Sequence, residues 1–262
     1  MTLDDAYANA AYIPRAEEFP PRWQAAAASF REALGPRAET GVRYGESDRQ
    51  VYDFFHPDGV AKGTLIFVHG GYWKAFDRSD WSHLAEGALA RGWAVVMPGY
   101  DLCPEVRISD ITQQIAAAVT AIAERVQGPL VLAGHSAGGH LVSRMLDPLV
   151  LPETVRGRIE RVAPISPLAD LGPLMQTSMN EILRLDTEEA GAESPVNMAV
   201  PRGAQIAVWV GADERPAFLD QAEILARTWG ARHVIDEGRH HFDVIEPLRD
   251  RDSEVVRFIC GV

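Results

Sequence analysis

Five short, almost wholly apolar runs recur along the chain and constrain its fold more than any other feature. They cover 64–68 (Thr-Leu-Ile-Phe-Val), 93–97 (Trp-Ala-Val-Val-Met), 129–133 (Pro-Leu-Val-Leu-Ala), 161–165 and 206–210 (Ile-Ala-Val-Trp-Val). Apolar runs of strand length without polar alternation suit strands covered on both faces of a parallel sheet. Segments of helical character lie between them, near 79–91, 108–127, 137–147 and 217–229. This alternation predicts an α/β chain whose mostly parallel central sheet carries helices on both faces. Near 41–55, Val42, Tyr44, Val51, Asp53 and Phe55 fall at spacing two, which predicts an antiparallel hairpin at the sheet edge.

Two stretches depart from this pattern. In residues 1–35, Pro14, Pro20 and Pro21 interrupt the chain before an Ala-rich helix over Arg22 to Leu34, stopped by Gly35-Pro36. This segment is expected to be an arm packed on the core. In residues 166–202, Pro167, Gly172, Pro173, Pro195 and Pro201 frame an irregular stretch with one or two helices around 173–185. So long an excursion between strands predicts a lid-like insertion. The expectation for residues 1–262 as a whole is one domain.

Charge and cysteine content exclude several classes. Lys and Arg number 25 against 37 Asp and Glu, a net charge of −12, which argues against nucleic acid as a partner. With 47% hydrophobic and 24% charged residues, the 262-residue chain is ordinary globular material able to build its own core. Cys103 and Cys260 are the only cysteines, far apart, which argues against a disulfide scaffold or a structural zinc site. The acidic start Met1-Thr-Leu-Asp-Asp does not read as a signal peptide, and no apolar run approaches the ~20 residues needed to cross a bilayer. A cytoplasmic protein with no membrane partner is expected.

The chemistry concentrates at Gly134-His135-Ser136-Ala137-Gly138-Gly139, directly after the apolar run 129–133 and at the start of a helical segment. A Gly-x-Ser-x-Gly sequence between a buried strand and a helix is a nucleophile elbow. Its serine sits on a strained turn, and the helix N-terminus points amides at incoming negative charge. A second signal, His69-Gly70-Gly71-Tyr72-Trp73, follows the strand 64–68. Acyl transfer through a serine creates a tetrahedral oxyanion, and Gly-Gly backbone at a strand end can supply N–H donors to it. The amides of Gly71, Tyr72 and Ala137 are the candidate donors, with that of Gly70 in reserve. His69 is expected to hold this loop by hydrogen bonding, and His135 to shape the elbow beside the substrate.

A serine needs a base and a group to orient that base. Asp213, after the run 206–210, sits where α/β sheets keep their ligands and is the preferred carboxylate, with Glu214 as its rival. His241 is the preferred base and His240 its competitor. His240, His241 and Asp243 could be read as metal ligands, but adjacent histidines on a loop rarely face one metal and no third-ligand pattern appears, so no metal is expected. No Gly-x-Gly-x-x-Gly follows a strand, so no dinucleotide cofactor is expected either.

The loop 69–73 and the elbow 134–139 resemble those of α/β-hydrolases near the hormone-sensitive-lipase-like esterases. Tyr100-Asp-Leu-Cys-Pro-Glu105 is similar to the YRLAPE-type segment of that group, with Asp101 in place of its Arg. More narrowly, His69-Gly-Gly-Tyr-Trp73, Tyr7-Ala-Asn-Ala-Ala-Tyr12, Asp213-Glu-Arg-Pro-Ala-Phe218 and His241-Phe-Asp-Val-Ile-Glu246 resemble the kynurenine formamidases (arylformamidases). The resemblance implies an α/β-hydrolase fold with a small lid and cofactor-free hydrolysis of N-formylkynurenine to kynurenine and formate. Ser136 would be the nucleophile, His241 the base and Asp213 its orienting acid. Tyr72 and Trp73 could stack on an aromatic leaving group. The family's acid loop has Ser after the Asp, whereas Glu214-Arg215 stands here. Carboxylesterase or thioesterase action on small acyl groups with the same triad is the alternative, and a binding protein that has lost catalysis is a more distant one. The partner expected is a small-molecule substrate, with a homodimer left open.

Overall fold

The structure, a computed structural model, describes residues 2–262. Its eight strands are β1 (Ala38–Arg43), β2 (Val51–Phe55), β3 (Thr64–Val68), β4 (Ala94–Pro98), β5 (Leu130–His135), β6 (Ile159–Ile165), β7 (Gln205–Gly211) and β8 (Arg232–Asp236). They form one sheet in the order β1-β2-β4-β3-β5-β6-β7-β8. β1 and β2 pair antiparallel, as do β2 and β4, and every other neighbouring pair is parallel. The chain thus has the mostly parallel sheet that its apolar runs call for.

Successive side chains of a strand point to opposite faces, and the core divides accordingly. Ile66, Val68, Val96, Leu132 and Val210 face one layer, built on helices Ile108–Arg125 and Pro216–Trp229. Leu65, Phe67, Val95, Met97 and Val131 face the other, where helices Phe19–Leu34 and Glu254–Cys260 contribute Trp23, Val256 and Ile259. In helix Ile108–Arg125, Ile108, Ile111, Ile115, Val119 and Ile122 recur at helical spacing and are all fully buried. Helix Pro216–Trp229 begins on a proline, whose missing N–H costs nothing there, and ends at Gly230 in the left-handed region (φ 61°).

One local reading changes. The helix expected over 79–91 is a tight 3-10 turn over Arg78–Ala85 followed by a short α-helix, Glu86–Ala90. Trp81 to Ala85 are buried one after another, leaving no solvent face of the kind an amphipathic α-helix needs. The antiparallel hairpin expected near 41–55 is present as β1 and β2 at one edge of the sheet, with β1 outermost and β2 buried along its whole length. Its Asp53 is accommodated because one carboxylate oxygen accepts from the Gly41 amide (2.8 Å) and from Arg78 Nε (3.1 Å).

Residues 166–202, expected as a lid-like insertion, are hydrogen-bonded to the body. Glu189 accepts from Ser109 Oγ (2.7 Å) and Arg107 Nε (2.9 Å). Glu193 accepts from Thr112 Oγ1 (2.6 Å) and Arg144 Nε (3.2 Å). Among the described residues no helix is long and apolar enough to cross a membrane.

Candidate active site

Ser136 sits between β5 and helix Ala137–Arg144 with φ 55°, a left-handed conformation that a serine adopts only under constraint from its surroundings. Its amide donates to Ile165 O at 2.8 Å, which ties the turn to β6. The turn is tight enough that a Cβ on Gly138 would lie 2.0 Å from Val68 O, so the helix can start against β3 only with glycine there. Ser136 is buried, and its Oγ has no hydrogen-bond partner among the described residues.

The loop after β3 passes directly over this serine. A Cβ on Gly70 would come within 2.8 Å of His135 O and 3.0 Å of Ser136 Cβ, so glycine is what lets the loop approach. Gly71, Tyr72 and Trp73 then all take positive φ (111°, 49° and 55°), and Lys74 N–H closes the turn on Gly71 O at 3.0 Å. Among the described residues the amides of Gly71, Tyr72 and Ala137 meet no acceptor, which leaves them free to donate to a bound oxyanion.

His69 supports the loop from beneath. Its Nδ1 is 2.7 Å from Gly70 O, its ring stacks on Tyr100 at 4.4 Å, and Tyr100 Oη donates to His69 O at 2.9 Å. Burial pushes the His69 pKa down to about 4, so it stays neutral and serves the loop's shape. Tyr100 opens the segment Tyr100-Asp-Leu-Cys-Pro-Glu105, and this buried contact is what that segment contributes to the site.

His241 is buried, and its Nδ1 lies 2.6 Å from Glu214 Oε2. The other oxygen of Glu214 accepts from the Gly211 amide (2.9 Å) and from Ser166 Oγ. Asp213, expected as the orienting acid, is exposed to solvent, and it is Glu214 that the structure pairs with His241. The cause is the turn at the end of β7: Asp213 N–H donates to Arg239 O (2.9 Å), Glu214 N–H folds back on Gly211 O (3.2 Å), and the second carboxylate faces inward. His240 turns elsewhere, with Nδ1 3.2 Å from Asp243 Oδ1 and its ring edge-on to Phe19. Of the two adjacent histidines, only His241 faces the serine's cavity.

That cavity encloses about 510 Å³ and is lined by Ser136, His241, His135, Gly70, Gly71 and Tyr72 together with an aromatic wall of Tyr7, Trp23, Phe76, Trp81 and Phe242. His135 packs its ring 4.6 Å from that of His241. Burial and then His241 hold the His135 pKa well below the usual value, so it is neutral beside His241. Tyr72 lines the cavity and donates its hydroxyl to Tyr7 O at 2.8 Å. Trp73 does not line it. This residue is wholly buried, edge-on to His140 at 5.0 Å, because the positive φ values at 72 and 73 turn its ring into the core. Sequence reasoning also missed where the cover comes from: residues 166–202 supply only Met179 to the lining, whereas the arm supplies Tyr7 to Ala11.

The comparisons with known proteins agree with this fold. The model of a family described as having the alpha/beta hydrolase fold matches residues 65–234. A kynurenine formamidase of Salmo salar is 27% identical over 83% of this chain and 79% of its own length, and one of Drosophila melanogaster is 27% identical over 84% and 80%. A crystal structure from Silicibacter sp. TM1040, provisionally named a thioesterase, is 61% identical, covers 99% of each chain and superposes with a TM-score of 0.97. A Pyrobaculum calidifontis esterase at 19% identity shares the fold, with a TM-score of 0.69 over 94% of this chain and 92% of that one. With its elbow, its glycine loop and its histidine–carboxylate pair, the chain belongs to the α/β-hydrolase fold family.

Proposed function

We propose that this protein is a serine hydrolase that cleaves aryl formamides, with N-formylkynurenine as substrate and kynurenine and formate as products. The observation that carries this reading is His241, hydrogen-bonded to Glu214 behind it and lining one aromatic-walled cavity with Ser136. Ser136 Oγ attacks the formyl carbon while His241 Nε2 takes its proton. Glu214 holds the Nδ1–H and stabilises the imidazolium that forms. The amides of Gly71, Tyr72 and Ala137, with that of Gly70 beside them, receive the oxyanion. Collapse breaks the C–N bond, the aniline nitrogen leaves with the proton from His241, and water then releases formate from the formyl-serine by the same steps.

Two features support a formamide. The close approach of Gly70 to Ser136 suits a formyl group, the smallest acyl group. The walls of Trp23, Phe76, Trp81 and Phe242 suit an aryl leaving group. The likeness to kynurenine formamidases supports the same choice. A second reading, thioester or carboxylester hydrolysis by the same residues, is favoured by the 61% identical relative provisionally named a thioesterase. Comparing kcat/KM for N-formylkynurenine, p-nitrophenyl acetate and acetyl-CoA tests the choice. The formamide is expected to lead, and formamide turnover at background would decide for the second reading.

A further inference from the structure

Lys74 is the one charged side chain among the residues lining the cavity. The chain has 25 cationic residues but only two lysines, and the other, Lys62, donates to Arg91 O at 2.9 Å. Lys74 is half-buried, yet among the described residues its ammonium has neither an ion pair nor a hydrogen bond. Its backbone, by contrast, is fixed, because its N–H closes the oxyanion turn on Gly71. A residue whose backbone is fixed, and whose ammonium has no partner among the described residues, thus lines a cavity with apolar walls, where water competes less for a charge and an ion pair is stronger than in bulk. The net charge of −12 makes the surroundings hostile to anions, so a local cation is needed to admit one.

We propose that Lys74 determines specificity by pairing with a carboxylate on the leaving part of the substrate. The inference rests on the hydrolase reading of Ser136 and narrows its substrates to aryl acyl donors carrying one carboxylate. A single ammonium matches a single carboxylate, whereas the several phosphate charges of a coenzyme A thioester would meet the acidic surface with one cation to offset them.

The test compares 3-(4-acetoxyphenyl)propanamide with 3-(4-acetoxyphenyl)propanoate, a neutral and a charged ester differing only in amide against carboxylate, in the wild type and in Lys74→Met and Lys74→Arg. The ratio of kcat/KM for the charged over the neutral ester is expected to fall about 10- to 100-fold in Lys74→Met, chiefly through KM, as for loss of one charge-assisted hydrogen bond. Lys74→Arg keeps the charge and should keep the preference, to within about threefold. Rising salt should lower the wild-type ratio. Calorimetric binding of 3-phenylpropanoate against 3-phenylpropanamide makes the same comparison without turnover. An unchanged ratio and unchanged relative binding in Lys74→Met would overturn the proposal, as would a loss confined to acetyl-CoA hydrolysis. Because the esters need no formamide chemistry, failure to hydrolyse N-formylkynurenine would count against the formamidase reading alone.

Discussion

His241 Nδ1 lies 2.6 Å from Glu214 Oε2, inside a turn whose preceding residue, Asp213, is exposed. Glu214 is further held by the Gly211 amide and by Ser166 Oγ, so its carboxylate is oriented before substrate arrives. The Glu214 carboxylate is therefore fixed from the strand end as well as by the histidine.

Glu214→Gln should keep the fold and lower kcat by about 100- to 10,000-fold, because the amide can no longer hold the histidine in the productive tautomer. Asp213→Asn should leave kcat/KM within about twofold, as expected for an exposed side chain. Steady-state kinetics of both variants on one acyl substrate decides the assignment, and the reverse pattern would return the role to Asp213.

The adjacent histidines separate in the same way. His241→Ala should cost about 1,000-fold or more in kcat, since nucleophile and base act as a unit. His240→Ala loses a contact to Asp243 and an edge contact to Phe19, and should change thermal stability more than turnover. Equal kinetic losses in the two variants would contradict this division.

Gly70→Ala introduces a methyl 2.8 Å from His135 O and 3.0 Å from Ser136 Cβ. The loop must shift to make room, which moves the donors of the oxyanion turn. A fall in kcat of about 100-fold is expected, the cost of one misplaced donor, with little change in KM. Retention of full kcat in a folded Gly70→Ala protein would place the oxyanion elsewhere.

Stability should depend on pH through buried histidines outside the site. Burial, and then the nearby cations of Arg249 and Arg31, push the His83 pKa down to about 4 from 6.5, and neither ring nitrogen has a partner among the described residues. Between those two pH values the unfolded chain binds a proton that the native chain refuses, so stability falls as pH drops from about 6.5 towards 4. His83→Leu should flatten that slope by up to about 1.4 kcal/mol per pH unit. Urea unfolding at several pH values measures it, and an identical pH profile in the variant would rule out His83 as a source.

Which parts of this arrangement are legible in the sequence follows from how local their causes are. β3 and β5 read directly, because strands covered on both faces must be apolar throughout, and Ser136 reads directly because elbow, strand and helix are contiguous. The choice between Asp213 and Glu214 does not, since two neighbouring carboxylates differ only in how one turn folds back on Gly211. Trp73 misleads for a related reason: its ring direction depends on two successive positive φ values that aromatic residues rarely adopt. The cavity wall draws Tyr7, Trp23 and Trp81 from segments remote in sequence, and only tertiary packing brings them to the serine.

Hydrolysis of N-formylkynurenine by the wild type and by Ser136→Ala bears on all of this at once. Turnover with kcat/KM above that for p-nitrophenyl acetate and acetyl-CoA, abolished in Ser136→Ala, is the expected result. A wild-type rate at background, or full activity in Ser136→Ala, would contradict it.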